Sequence, residues 1–361
     1  MKLFESYAFA GHTLQNRVAM APMTRCRAIE NIPNELMATY YKQRASIGLL
    51  ITEGTAPSPN GLGYARIPGI FNQAQIEGWK LVTDAVHEAG GKIFLQIMHT
   101  GRVSHPLNMP EGAKLVSTTT EPAPGEMYTD QEGSQAHPAP HLMNADDIVQ
   151  AKAEFVQAAK NAIEAGFDGV EIHAANGYLV EQFLNKTINQ LTNAYGGSNE
   201  NRNRFAIEVA QEVVAAIGKE KTGIRLSPYG VFNGTGIYEE IDDQFEALAK
   251  ALNEIGLAYI HLVDHEAMGA PQVSPEVKRR IRQAFSGTLI LSGGYDKDRA
   301  EADLATGKGD LIAFGRPSLA NPDLVERMQT GAEIAAPDFD TFYTPGEKGY
   351  TDYPVLATNE A

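Results

Sequence analysis

Eight short strand-like runs, each followed by an amphipathic helical run, constrain this 361-residue chain more than any other feature. The alternation predicts strands over Val18–Ala21, Leu49–Thr52, Lys92–Met98, Gly169–His173, Thr222–Ser227, Tyr259–Val263, Thr288–Ser292 and Leu311–Phe314. Helical runs fall near Glu35–Ser46, Gln75–Ala89, Ala145–Ala165, Asn203–Ala216, Asp242–Ile255, Pro275–Phe285, Asp298–Thr306 and Asp323–Gln329. Parallel strands need crossover connections, and eight such units close a sheet on itself. The expected fold class is α/β: a (β/α)8 TIM barrel forming one domain over residues 1–361. In such a barrel the ligand-binding groups belong at the carboxyl ends of the strands.

Local signals agree with this pattern. Asn144 is placed to cap the third helical run, Asp147 stands in its first turn, and Gly166 ends it. Ile148, Phe155, Val156, Ala159 and Ile163 make its expected buried stripe. Two stretches break the alternation. The connection at 99–144 is far too long for an ordinary βα loop and is rich in proline, which predicts a lid-like insertion after the third strand. The tail at 337–361 has many aromatics and no helical period, so it is expected to run extended around the barrel and reach its mouth.

Charge and cysteine content exclude several functions. With 45 acidic against 30 basic side chains, the net charge of −15 disfavours nucleic acid and anionic membranes as partners. The amino terminus lacks the apolar core of a signal peptide, and no run is apolar enough to span a bilayer. These features predict a cytoplasmic monomer or homodimer acting on small molecules. Cys26 is the only cysteine, so neither an internal disulfide nor a Cys-ligated iron–sulfur cluster can form, and no metal site is expected. A redox cofactor would be organic or held by other ligands.

The stretch GVEIHAANGYLVEQF, from Gly169 to Phe183, concentrates groups of different acid–base character. Val170 and Ile172 alternate with Glu171 and His173, and the loop that follows carries Asn176 and Tyr178. The same period of two sends Ile93, Leu95 and Ile97 toward the helices and Phe94, Gln96 and Met98 into the barrel. It sends Ile224 and Leu226 outward and Arg225 inward. Barrel interiors are normally filled by branched apolar residues, so Gln96, His173 and Arg225 read as a ligand-facing set. A structural ion pair between Arg225 and Glu171 is the alternative role for that arginine.

The last two strands end in LSGGY, with Gly293 and Gly294, and in FGRP, with Gly315 and Arg316. Glycine backbone and an arginine at this corner suit a phosphate. No complete G-x-G-x-x-G is present, so a nicotinamide nucleotide would visit without a Rossmann domain of its own. On these residues alone, a phosphate-binding lyase or isomerase and a flavin- or phenol-binding barrel without turnover stay open. The first lacks a strand-end lysine suited to a Schiff base and a carboxylate pair.

The strings NRVAMAPMTR, ITEGT, QIMHTGR, DGVEIHAANGYLVEQFL, YGGSNENR, SGGY, FGRP and GYTDYP, in that order, resemble the old yellow enzyme family of FMN-dependent ene-reductases. The likeness runs from Leu14 to about Pro354. It implies noncovalent FMN across the barrel mouth and NADH or NADPH as reductant. The implied substrates are activated alkenes such as enones, maleimides and nitro-alkenes, with quinones and nitro compounds as further candidates. Thr24, flanked by Pro22 and Met23 in the cofactor-binding set, would contact the flavin carbonyl nearest the reactive nitrogen. Gln96 would hold the pyrimidine edge, and Arg225 would face the charge of the reduced ring. Gly293, Gly294, Gly315 and Arg316 would hold the phosphate. His173 and Asn176 would donate to the substrate oxygen, and Tyr178 would supply the proton. Tyr64, Met98 and Tyr343 would line the pocket. Many relatives have His in place of Asn176 and Trp in place of Met98, which implies a roomier or differently shaped floor here.

Overall fold

A computed structural model describes residues 1–356; the last five residues of the expected tail, 357–361, lie outside the described residues. The eight strands are Val18–Met20, Leu49–Ile51, Ile93–Ile97, Gly169–Ala174, Thr222–Leu226, Tyr259–Val263, Thr288–Ser292 and Leu311–Phe314. They pair in parallel in chain order, and Leu311–Phe314 closes the barrel against Val18–Met20 with Ala313 opposite Ala19. The expected (β/α)8 architecture is therefore present. The first three strands are each shorter than the sequence pattern suggests. Beyond Met20, Ile51 and Ile97 the chain turns over the barrel mouth, and Ala21 keeps only a single bond, from its N–H to the Phe314 carbonyl at 3.0 Å.

Capping decides the helix boundaries. Asn144 and Asp147 form a reciprocal capping box on the helix Ala145–Glu164. Its buried face differs from the expected stripe: Ala151, Ala158 and Ala162 join Ile148, Phe155 and Ala159 inside, whereas Val156 and Ile163 are only half-buried. Alanines permit the close approach, and the two branched side chains sit at the edge of the contact. The helix Asn199–Ile217 begins four residues before its expected start, because the Ser198 hydroxyl accepts the Asn201 N–H.

Strand alternation sorts the apolar residues into two cores. Ile93, Leu95, Ile97, Ile224 and Leu226 pack against the helices. Phe94, Leu49, Ile51, Tyr259, Ile290 and Leu311 fill the barrel together with Phe9 and Leu14. The last two come from an amino-terminal hairpin, Tyr7–Phe9 with His12–Leu14, that sequence patterning does not reveal. The Phe9 ring sits 5.6 Å from Phe94 and 5.8 Å from Tyr259, near the amino ends of their strands. Removing such a buried ring typically costs about 3–5 kcal/mol. The plug leaves the carboxyl end as the place where the interior turns polar: Gln96 follows Phe94, and His261 follows Tyr259.

The stretch 99–144 contains the hairpin Glu126–Thr129 with Gly133–Ala136 and a short parallel pair, Val116–Ser117 with His141–Leu142. The tail is held by backbone carbonyls. Arg25 donates to the carbonyls of Phe342 (3.1 Å) and Gly349 (2.7 Å), and Arg27 to those of Thr341 (2.8 Å), Phe342 (2.8 Å) and Lys348 (3.0 Å). No helix among the described residues is long and apolar enough to cross a membrane.

Candidate active site

At the carboxyl end of the barrel lies a cavity of about 820 Å3. It gathers side chains that the sequence places hundreds of residues apart: Pro22, Met23, Thr24, Tyr64, Gln96, Met98, His173, Asn176, Tyr178, Arg225, Gly293, Gly294, Gly315, Arg316 and Tyr343. Arg25, Phe232, His265, Phe339 and Phe342 line it as well.

The fourth strand delivers His173 at its end and then breaks. Asn176 (φ 61°) and Gly177 (φ 77°) both adopt the left-handed conformation. A Cβ on Gly177 would meet the Phe232 carbonyl oxygen at 2.6 Å, so glycine is required there. Buried Glu181 braces the turn, accepting the Gly177 N–H at 2.6 Å and the Ser227 hydroxyl at 2.9 Å. Ser227 Oγ in turn accepts the Asn176 N–H at 2.9 Å, and the Asn233 amide donates to the Asn176 carbonyl at 2.7 Å. Tyr178 then opens the short helix Leu179–Leu184. Ser227 and Asn233 carry no motif that marks them in advance, and Glu181 lies inside the Gly169–Phe183 stretch without a role that the sequence assigns.

The electrostatics of the polar trio follow from burial. The Ala175 N–H donates to His173 Nδ1 at 3.3 Å, which leaves Nε2 to carry the ring hydrogen. Burial, and after it the charge of Arg225, holds the His173 pKa well below its ordinary value, so the ring is a neutral donor. Burial pushes the Tyr178 phenol up to about 12, and its hydroxyl lies 2.8 Å from that of Tyr64. The Tyr178 ring stands edge-on to His173 at 4.9 Å.

Across the cavity Gly293 (φ 121°) approaches the sixth strand so closely that a Cβ would stand 2.0 Å from the Asp264 carbonyl. Gly315 caps the short helix Arg316–Ala320, and the Arg316 guanidinium lies 5.2 Å over the Phe339 ring. On the floor, Glu171 is fully buried. It accepts Gln96 Nε2 at 2.7 Å and bonds to His261 Nδ1 at 2.9 Å, so its partners are Gln96 and His261 rather than Arg225. His261 escaped the sequence reading, although the alternation Tyr259, His261, Val263 points it inward.

Two buried polar atoms around this cavity have no partner among the described residues, Arg225 Nε and Asn176 Oδ1. Buried unpaired donors and acceptors are costly, so the cavity suits a ligand that supplies their partners. A planar flavin fits the donor set: Thr24, Gln96 and Arg225 for polar ring edges, and glycine backbone with Arg316 for a phosphate.

Comparison with known proteins agrees with this geometry. Residues 2–334 match the model of the NADH:flavin oxidoreductase / NADH oxidase family. A probable flavin mononucleotide-dependent alkene reductase of Leishmania infantum is 40% identical over 96% of this chain and 95% of its own length. The structure of morphinone reductase in complex with tetrahydroNAD superposes with a TM-score of 0.94 at 42% identity, covering 100% of this chain and 99% of that one. The old yellow enzyme homologue from Zymomonas mobilis reaches a TM-score of 0.95 at 39% identity, covering 99% of this chain and 100% of that one. Family match, relatives and cavity converge, and the chain belongs to the NADH:flavin oxidoreductase / NADH oxidase family.

Proposed function

We propose that the chain is an FMN-dependent ene-reductase that uses NADH or NADPH to reduce activated C=C bonds in enones, maleimides and nitro-alkenes, with quinones and nitro compounds as further acceptors. The observation that carries this reading is the meeting of a neutral imidazole donor at His173, the Asn176 amide and a protonated phenol at Tyr178 around one cavity. FMN bound there would supply the hydride, taken first from the nicotinamide and passed on to the alkene. Every other requirement falls on the chain.

His173 Nε2–H and Asn176 donate to the carbonyl or nitro oxygen, drawing charge from the double bond and opening its β-carbon to attack. Tyr178 holds a proton for the α-carbon; a phenol with its pKa near 12 stays protonated at neutral pH. Arg225 supplies positive charge beside the flavin, and Thr24 and Gln96, with Pro22 and Met23, hold its ring. Gly293, Gly294, Gly315 and Arg316 hold its phosphate, while Tyr64, Met98 and Tyr343 shape the substrate space. The insertion at 99–144 and the tail from 337 cover the mouth in this reading. Support comes from Arg66, which pairs with Asp130 of the insertion and donates to the Tyr343 carbonyl of the tail at 2.9 Å. A cytoplasmic setting, where reduced nicotinamides are available, completes the proposal.

Purification tests it. The protein is expected to be yellow, to release FMN on denaturation, to bleach anaerobically with NADH or NADPH and to recover colour with 2-cyclohexenone. A colourless protein that takes up no added FMN overturns the reading.

A further inference from the structure

Beneath the cavity a hydrogen-bonded belt crosses the barrel interior. Gln96 Nε2 donates to Glu171 Oε1 at 2.7 Å, and Glu171 Oε2 bonds to His261 Nδ1 at 2.9 Å. His261 Nε2 lies 3.0 Å from Ser292 Oγ. The belt starts and ends on cavity-lining residues, Gln96 and Ser292, while Glu171 and His261 have 0% exposure.

The protonation of the belt follows from its partners. Burial alone would raise the Glu171 pKa, but its pairing with His261, the charge of Arg225 and the bond from Gln96 outweigh it, and the group sits below its ordinary value. A carboxylate is an acceptor only, so both neighbours must donate to it. This removes the usual ambiguity of an amide side chain: Gln96 has its nitrogen toward Glu171, and its Oε1 is left for the cavity. Burial lowers the His261 pKa despite the carboxylate; the ring donates to Glu171 from Nδ1, and its Nε2 lies beside the Ser292 oxygen, whose own hydroxyl donates to the Leu262 carbonyl at 3.1 Å.

We infer that Glu171 is a positioning residue for the cofactor, turning the Gln96 amide so that its carbonyl accepts the imide N–H of the flavin, and that its buried charge lowers the reduction potential of bound FMN. The inference rests on the proposed FMN site and goes beyond it. Glu171 sits on the fourth strand, directly opposite Gln96 in the barrel register. Reduction would add negative charge to a flavin held in the cavity, and a fixed carboxylate beneath the cavity would oppose that change while Arg225 would favour it. A buried carboxylate in a barrel floor is costly unless fully bonded, and this one is bonded on both oxygens.

Two substitutions separate orientation and charge from simple packing. Glu171→Gln keeps the volume and removes the charge, so the midpoint potential of bound FMN, read by dye equilibration, is expected to move positive. The FMN dissociation constant, read by fluorescence quenching, should rise about tenfold as the Gln96 amide loses its fixed orientation. The exchange Glu171→Gln with Gln96→Glu retains one amide and one carboxylate across the strand pair but moves the charge to the cavity edge. Its potential is expected to fall below wild type, with FMN affinity again reduced. Potentials equal to wild type in both variants, or shifts in the same direction, overturn the inference, as does a loss of thermal stability with no change in potential. A wild-type protein that binds no FMN overturns the parent reading instead.

Discussion

The hydroxyls of Tyr64 and Tyr178 lie 2.8 Å apart, with their rings nearly perpendicular at 84°. The contact fixes the Tyr178 phenol at its hydroxyl, while the His173 ring stands edge-on to its ring at 4.9 Å. Burial raises the pKa of both phenols, Tyr178 to about 12, so both keep their protons at neutral pH. A protonated, immobilised phenol beside a neutral donor is the arrangement a general acid needs.

Tyr178→Phe keeps the ring and deletes the proton. Reduction of the flavin by NADH or NADPH is expected to be nearly unaffected, while reoxidation by a simple cyclic enone slows by about 10²–10⁴, the usual worth of a general acid. Nitro-alkenes and quinones, whose hydride adducts are stable anions or take protons on oxygen, should lose far less. Stopped-flow measurement of the two half-reactions checks this. An unchanged enone step, or equal slowing of both steps, would return Tyr178 to a packing role.

Arg316 sits at the end of the eighth strand with its guanidinium stacked over Phe339. A charge-assisted bond from arginine to phosphate is typically worth about 1.5–3 kcal/mol, so Arg316→Ala should weaken FMN retention by roughly 10- to 100-fold. Riboflavin, which has no phosphate, should bind the variant and the wild type alike. Equal FMN affinity in the two proteins would reject the assignment.

What could be read in advance depended on periodicity. Phe94, Gln96 and Met98 were legible as interior residues because a strand alternates with a period of two, and the barrel places them so. The Phe9 hairpin was not legible, since each of its strands is three residues long and too short for a pattern. The partner of Glu171 was hidden for another reason. Whether His261 or Arg225 meets it depends on how separate strands converge inside the barrel, which no local pattern encodes. The clamp of Arg25 and Arg27 on the tail was equally silent, because it ends on backbone carbonyls that any residue could supply.

Met98 forms part of the cavity floor against Gly54, where a Cβ would stand 2.4 Å from the Met98 sulfur. The two residues therefore share one space. Met98→Trp should fill it and select against bulk, lowering kcat/KM for 3-substituted enones relative to 2-cyclohexenone by roughly tenfold or more. A rate ratio that stays constant across an enone panel would remove Met98 from the substrate space.

Glu181 provides a pH signature for the brace under the substrate-binding loop. Burial raises its pKa from 4.5 to about 8, against the opposing bonds from the Gly177 N–H and the Ser227 hydroxyl. Between those two values the folded chain retains a proton that the unfolded chain has released. The contribution of Glu181 to stability therefore falls as pH rises through the window, by up to about 1.4 kcal/mol per pH unit, and levels off above the folded pKa. Glu53, raised mainly by burial to about 7, acts in the same direction but completes its change earlier. Comparing wild type with a non-titrating variant between about 7 and about 8 isolates Glu181, because the other titrating groups, the buried histidines with lowered pKa values included, contribute to both proteins. Glu181→Gln mimics the protonated acid and cannot titrate, so denaturant unfolding at stepped pH should show a flatter dependence there, by roughly one proton. Wild type and variant with parallel slopes across that interval would mean that Glu181 is ionised in the folded chain and that the loop is braced by a carboxylate.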